Sequence, residues 1–449
     1  DSDFAKKVSS LRDSRIKLEV SSSVFPEDWI AEFASKVHIH EAALLTTAFA
    51  IAENTEVSFI YTDHDHLDPQ GNFCDPYMKP DWNAELFAST DYLSPLVFIE
   101  KNLWENNHDN NSERHDFLQN VIEDLSPSAI FHIPNVLASV LVGSDSSHLE
   151  PSVKKIKRDV PNPIPLVSIL IPTRNQGRIL KKCLESLFNK TTYSNFEVIL
   201  IDHETHQSKA LKVIKEFEMK ENFTVTGFSG AFNFAAMINR GAENANGEIL
   251  LLLNNDTEVF DSDWLTELVS QVSRPEVGIA GSLLLFGDET VQHAGIHPGL
   301  GGLMGHGHKH VKGSSSGYFN RLKTVHEVAA VTGACLAIEN KTWNEVGGLD
   351  EENLAVAYND VDLCLKVRRM GLKVIFTPFS IIFHHESISR GSDDNPEKNR
   401  RLRGEIEVMQ ERWGEELNED PAYSVNHSSD GGGFLLEAAP DNRFLFQKD

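Results

Sequence analysis

Three short, almost wholly apolar runs set the terms for this chain: residues 166–171 (LVSILI), 196–201 (FEVILI) and 248–253 (EILLLL). Each has strand length, and none shows the alternation expected of a strand with one wet face. The stretches between them have helical spacing. Over residues 178–188, Ile179, Leu180, Cys183, Leu184 and Leu187 fall on one side; residues 210–219 and 234–245 read as further helices, and 223–225 as a short strand. Strands apolar on both faces, alternating with amphipathic helices, predict an α/β fold with a mostly parallel sheet covered on both sides. Ligands of such sheets bind beyond the carboxyl ends of the strands.

The residues following those strands are therefore the candidates. Pro172, Thr173, Arg174 and Asn175 follow the first; Asp202, His203 and Glu204 the second; Asn254, Asn255 and Asp256 the run at 248–253. Asp and Asn favour turns, so any one group alone reads as turn chemistry. Three at one edge of one sheet favour a ligand site. No GxGxxG or GKS/GKT motif is present, which removes the main support for a dinucleotide or P-loop site. A phosphate would instead be held through a cation on a strand-end carboxylate, and Asp256 is placed for that.

Further on, Tyr358-Asn359-Asp360-Val361-Asp362 opens a helix running to about Met370. Asp360 and Asp362 are about 200° apart around a helix, so one can face a site while the other caps or bonds locally. Residues 373–376 read as a strand. The apolar run at 381–383 ends in His384-His385-Glu386, and a histidine pair at a strand end is a candidate for metal ligation.

Charge and cysteine content exclude several classes. The 449 residues carry 41 Lys and Arg against 67 Asp and Glu, a net charge of −26. A chain this acidic, without a basic cluster, is not built to bind nucleic acid. Cys74, Cys183, Cys335 and Cys364 form no CxxC pair, so neither a disulfide scaffold nor a structural zinc site is expected, and a reducing compartment fits. No window approaches ~18 uninterrupted apolar residues. The chain begins with Asp1, which reads as a fragment or a processed product. The basic, proline-punctuated stretch at 154–165 (KKIKRDVPNPIP) reads as a linker. This gives an N-terminal module at 1–150, a linker at 151–165, a larger domain at 166–415 and a loosely packed C-terminal extension at 416–449.

Taken in order, VSILIPTRN (167–175), VILIDHET (198–205), FNFAAMINRGAENANGEILLLLNNDTEV (232–259), TGACLAI (332–338), EVGGLDE (345–351), NDVDLCLKVRRMG (359–371) and FHHES (383–387) resemble the inverting glycosyltransferases of family 2. The resemblance spans about half of the chain. It implies a GT-A, Rossmann-like fold and transfer of a sugar from a nucleotide-diphosphate donor to a hydroxyl of a glycan acceptor. It also implies the parts. Pro172, Thr173 and Arg174 would line the nucleotide, Asp202 would contact the base, and Asn254 and Asn255 would lie in the segment where the family has Asp-x-Asp. Asp256 would bind Mn2+ or Mg2+, with Asn254 replacing the first acid of that motif. Asp360 would be the catalytic base, with Asn359 replacing a Glu. His384 would complete the metal shell, His385 being the competing choice. Thr332, Gly333, Asp362 and Arg390 are candidates on the donor or acceptor side, Arg390 being equally readable as a surface arginine.

The resemblance further implies synthesis of a bacterial surface polysaccharide, on the cytoplasmic side, with a glycan or lipid-linked glycan acceptor. Peripheral association with the membrane and oligomeric state stay open. A catalytically inactive scaffold that binds nucleotide sugar or glycan is the alternative, motivated by Asn254 and Asn359. Residues 59–83 (FIYTDHDHLDPQGNFCDPYMKPDWN) resemble part of a second GT-A-like module, so 1–150 reads as a truncated or degenerate half-module. There Asp63, Asp65 and Asp68 suggest a metal cluster but favour a solvated turn. Histidines 293, 297, 306, 308 and 310, set among glycines, read as a flexible flap on the acceptor side in preference to a second metal site.

Overall fold

A computed structural model describes residues 26–34, 36–108, 113–141, 152–385, 396–417, 420, 422–429 and 433–436. Arg390 lies outside the described residues. The chain divides into two compact units, and the division does not simply follow the sequence: residues 79–92 belong with the second unit, not with the segments around them.

The first unit is built on β1 (Trp29–Phe33), β2 (Val37–Ile39), β3 (Phe59–Leu67), β4 (Phe73–Tyr77), β5 (Leu96–Glu100) and β6 (Ile130–Leu141). The strand order is β1-β5-β3-β6-β2, with β4 on β3. Helix α1 (Ala43–Glu53) contributes Ala43 and Ala50 to a core with Trp29, Ile60, Phe98 and Leu137. Asp63, Asp65 and Asp68 go to separate partners. Asp63 is fully buried 2.8 Å from His132 Nε2. Asp65 accepts from Ser139 Oγ at 2.5 Å. Asp68 alone occupies a turn, accepting from the backbone N–H groups of Gln70 and Asn72.

In the second unit, α2 (Ala84–Ser89) places Glu85 among three cations. Arg274 lies at 2.8 Å, Lys373 at 3.4 Å and Arg158 at 3.5 Å. Helices α3 (Lys101–Asn107) and α4 (Arg114–Ile122) belong to the first unit. The large sheet of the second unit begins with β7 (Val167–Thr173), β8 (Phe196–His203), β9 (Phe223–Phe228) and β10 (Ile249–Leu253), all mutually parallel. It continues with β11 (Thr257–Val259), β12 (Val277–Leu285), β13 (Val291–His293), β16 (His326–Glu327), β17 (Cys335–Glu339) and β18 (Lys373–His384). The order is β11-β18-β12-β17-β10-β7-β8-β9, so only one half is parallel throughout; β17 runs antiparallel between β10 and β12. The two apolar pieces expected at 373–376 and 381–383 are one twelve-residue strand, β18, interrupted where its register on β12 jumps from Thr377 to Ile381.

Strand alternation sorts the apolar side chains into two cores. Val167, Ile169, Ile171, Ile249, Leu251 and Leu253 face α5 (Gly177–Lys190), α6 (Ser208–Phe217) and, through Trp264 and Leu268, α8 (Trp264–Val272). Leu170, Leu250 and Leu252 face α7 (Phe234–Ala242), α9 (Asn340–Val346), α10 (Asn359–Arg369) and α11 (Pro396–Trp413). Helices on both faces are what strands apolar on both faces require.

Together with β13, β14 (Ile296–Pro298) and β15 (Met304–His306) fold the His- and Gly-rich stretch into strands, and residues 291–298 are all buried. The stretch is thus buried in its first part and exposed at Gly301 and Gly302, between β14 and β15. The described part of the C-terminal extension is not loose: Ala422, Tyr423 and Phe434 are buried, and Tyr318 stacks on Phe434 with ring centroids 5.0 Å apart.

Candidate active site

The parallel strands end together. Thr173 pairs in register with Asp202, and Asn255 Nδ2 donates to Thr173 Oγ1 at 2.9 Å. Asn175, with φ of +58°, joins the loops after β7 and β8: its Oδ1 accepts from the N–H groups of His206 and Gln207, and its own N–H donates to Thr205 Oγ1. Asp202 Oδ1 accepts from the Thr205 N–H. Pro172 is half-buried at the strand end, and Arg174 is exposed beside it.

The antiparallel β17 brings in the other half. Because Leu253 pairs with Cys335, the turn before β17 lies beside the turn after β10, and the Asn254 N–H donates to the Ala334 carbonyl. That turn contains Thr332 and Gly333. The Gly333 N–H donates to Asp360 Oδ2 at 2.8 Å, while Asp360 Oδ1 accepts from Val361 N–H at 2.9 Å. Two backbone donors thus fix the carboxylate at the first turn of α10. Tyr358, just before it, is held at φ of +60°, an unfavourable conformation for a bulky residue.

β11 and the end of β18 complete the group. Thr257 pairs with His384, which places His384 Nε2 3.0 Å from Asp256 Oδ1 and 3.2 Å from Asn254 Nδ2. His384 Nδ1 lies 2.6 Å from Gln292 Oε1, and since an amide oxygen only accepts, Nδ1 carries a proton. Asn254, Thr332, Gly333, Asp360 and His384 line one cavity of about 240 Å³. A more open hollow of about 550 Å³ beside Gly348 and Glu351 contains none of these residues.

Two candidates point elsewhere. Asp362 is fully buried, with Arg412 Nη1 at 2.7 Å, Lys366 Nζ at 2.9 Å and Trp413 Nε1 at 3.0 Å. It locks α11 onto α10 and does not reach the cavity. His385 has its ring toward Glu258 Oε2 at 3.1 Å and Lys182 Nζ at 3.2 Å. It follows His384 directly and faces the other side of the sheet, as alternation dictates. Of the two rings, His384's lies at the Asp256 carboxylate, whereas His385 meets Asp256 through its backbone N–H, which donates to the Asp256 carbonyl at 2.9 Å. Gln292 escaped the sequence reading as a partner of His384, because only the pairing of β13 with β12 brings it there.

Comparison with known proteins adds a likeness over part of the chain. Residues 168–325 match glycosyl transferase family 2. An uncharacterised protein of Sinorhizobium fredii is 35% identical over 88% of this chain and 48% of its own length. The O-antigen biosynthesis protein RfbC of Myxococcus xanthus is 31% identical over 82% of this chain and 32% of its own. The chain therefore spans half or less of these curated relatives. A mannosyltransferase of Pyrobaculum calidifontis, solved with GDP-Man and Mn2+, aligns at a TM-score of 0.41 with 17% identity over 57% of this chain and 68% of that one, a likeness too slight to carry an argument. Asp360 and His384 lie beyond the matched residues, so their pairing with Asn254 and Asp256 comes from the fold. Over residues 168–325 the chain is similar to glycosyl transferase family 2.

Proposed function

We propose that the chain is an inverting, divalent-metal-dependent glycosyltransferase of GT-A type. It moves a sugar from a nucleotide-diphosphate donor to a hydroxyl of a glycan or lipid-linked glycan, at the cytoplasmic side, in surface-polysaccharide synthesis. The observation that carries the reading is one cavity lined both by Asp360 and by His384, the partner of Asp256. The setting is supported by the relative named for O-antigen biosynthesis. Among the described residues no helix is long and apolar enough to cross a membrane.

The residues present fit Mn2+ or Mg2+. With Nδ1 of His384 donating to Gln292, Nε2 lies 3.0 Å from the Asp256 carboxylate and 3.2 Å from the Asn254 amide. An imidazole nitrogen and a carboxylate this close can share a cation in place of a proton. Among the described residues no group of three or more His, Cys, Asp or Glu could hold a metal. Asp256 and His384, with the Asn254 amide, are thus a partial shell, of the kind completed by substrate phosphates. A bound cation would neutralise charge developing on the leaving diphosphate.

In this reading Asp360 takes the proton of the attacking hydroxyl, its orientation fixed by Gly333 and Val361. One base suffices for direct displacement with inversion. Thr173, Asp202 and Asn255 would line the nucleotide, with Pro172 and Arg174 beside them. Asn254, in place of an acid, favours one competing reading: a scaffold that binds sugar nucleotide without turnover.

The test is nucleotide release from UDP-, dTDP- and GDP-sugars with Mn2+ or Mg2+, with and without EDTA. Metal-dependent release from one donor, lost in His384→Ala, is expected. Donor binding by calorimetry without release from any donor, across a set of glycan acceptors, would favour the scaffold.

A further inference from the structure

The cavity that holds Asp360 has a second wall that the proposed function does not use. His306, at the end of β15, and Lys309, three residues on, both line it. Lys309 is exposed and forms no ion pair among the described residues. His306 is half-buried, and its Nδ1 lies 2.9 Å from Nδ1 of His293. His293 is 1% exposed, and its pKa is pushed well below the ordinary value by burial, aided by the charges of nearby histidines, so the ring is neutral.

The hydrogen bonds decide where the protons sit. The Thr332 N–H points at His293 Nε2, at a long 3.5 Å, so Nε2 accepts. A neutral ring that accepts at Nε2 carries its proton on Nδ1, and that proton can only go to His306 Nδ1. His306 Nδ1 is therefore an acceptor, and a neutral His306 carries its proton on Nε2. The relay from Thr332 through His293 makes His306 a donor at Nε2. The backbone supports the arrangement: Gly305 precedes His306, and a side chain there would collide with the Leu300 carbonyl.

We propose that His306 and Lys309 form an oxyanion-binding wall of this cavity, which holds a phosphate or carboxylate group of a substrate, and that His293 is the positioning residue that fixes His306 as a donor. A fixed imidazole donor beside an exposed ammonium suits an oxyanion better than a neutral hydroxyl. The oxyanion can come from the donor diphosphate or from an acidic group on the acceptor. The inference rests on the proposed function only for the identity of that substrate.

The test is nuclear magnetic resonance of the full chain with ¹⁵N-labelled histidine, His306 being assigned by its loss in His306→Gln. The probes are inorganic phosphate and UDP with Mg2+. The expected spectrum shows His306 with Nδ1 unprotonated and Nε2 protonated, reverting to a mixture in His293→Ala and restored in His293→Asn, whose amide can donate. Phosphate is expected to shift the His306 signals, and Lys309→Met to raise its Kd about ten-fold. Lys309 is exposed, so that variant folds whether or not His306→Gln does.

If phosphate still binds with UDP and Mg2+ saturating, the wall serves the acceptor; if they compete, it serves the diphosphate. No His306 shift with either probe overturns the wall, and an unchanged tautomer in His293→Ala overturns the relay. Phosphate binding without any UDP binding would sink the glycosyltransferase reading and leave the wall standing.

Discussion

The two acids of the Asn-Asp-Val-Asp stretch should fail in different ways. Asp362→Asn removes a buried charge that holds Arg412, Lys366 and the Trp413 indole. Breaking a buried pair from one side costs ~3–5 kcal/mol. Arg412 and Lys366 retain 28% and 25% side-chain exposure, so water takes up part of the stranded charge and the low end applies, about 3 kcal/mol. At roughly 2 °C per kcal/mol for a large unit, the thermal transition falls by about 6 °C. Asp360→Asn keeps one oxygen to accept from Gly333 but turns its amide nitrogen toward the Val361 N–H, and should cost about 1 kcal/mol, while nucleotide release coupled to transfer drops by about 10²–10⁴-fold. Scanning calorimetry and the release assay on both variants decide it. If Asp362→Asn leaves the transition within about 2 °C of the parent and loses transfer as fully as Asp360→Asn, the roles assigned here are wrong.

Other outcomes follow from burial. Burial raises the thiols of Cys183 and Cys335 to about 12 and that of Cys364 higher still, whereas Cys74 is partly exposed. An aromatic disulfide reagent at pH 8 should titrate one thiol rapidly and the other three only in denaturant; a second fast thiol would contradict the packing. Burial, with the Arg321 and His297 charges, lowers His427 from 6.5 to about 3. The unfolded chain then binds a proton that the folded chain refuses, so stability is full above pH 6.5 and falls as pH drops toward 3. His427→Gln should flatten that acid limb in urea midpoints measured from pH 7 to 4, and an unchanged slope would refute it. A fragment of residues 150–449 lacks Glu85 and leaves Arg274 with Glu276 at 3.6 Å and Lys373 with Glu327 at 3.4 Å. It should unfold earlier than the full chain, and Glu85→Gln in the full chain should reproduce part of that loss; equal stability of all three would show the cluster to be idle.

Much of the sheet was legible because β10 is apolar throughout and β7 and β8 nearly so, Ser168 and Glu197 being the breaks in their apolar runs. Their neighbours were not. β12 is buried along all nine residues, yet Gly278, Gly281 and Ser282 dilute its signal. A Cβ at Gly281 would lie 2.5 Å from Val331, so that glycine marks crowding rather than looseness. The same confusion affected the His- and Gly-rich stretch: at Gly307 a Cβ would sit 2.8 Å from His297 Nε2. Glycine permits both mobility and close approach, and sequence alone does not separate them. Asp256, Asp360 and His384 were readable as residue types at strand and helix ends. The partners that orient them, Gly333 and Gln292, depend on strand neighbours distant in sequence.

The placement of β17 bears on how the chain can be made. β10, Ile249–Leu253, is five aliphatic residues in a row, and its second neighbour is not synthesised until Cys335–Glu339. A nascent chain that has emerged only through the first four parallel strands presents β10 as an open, sticky edge while roughly eighty more residues are added. Over that interval the half-made sheet is a template for pairing with other chains, and a ribosome pause there would favour aggregation. Expression yield should therefore depend on chaperone supply and on translation speed between codons 254 and 335 more than on the stability of the finished fold.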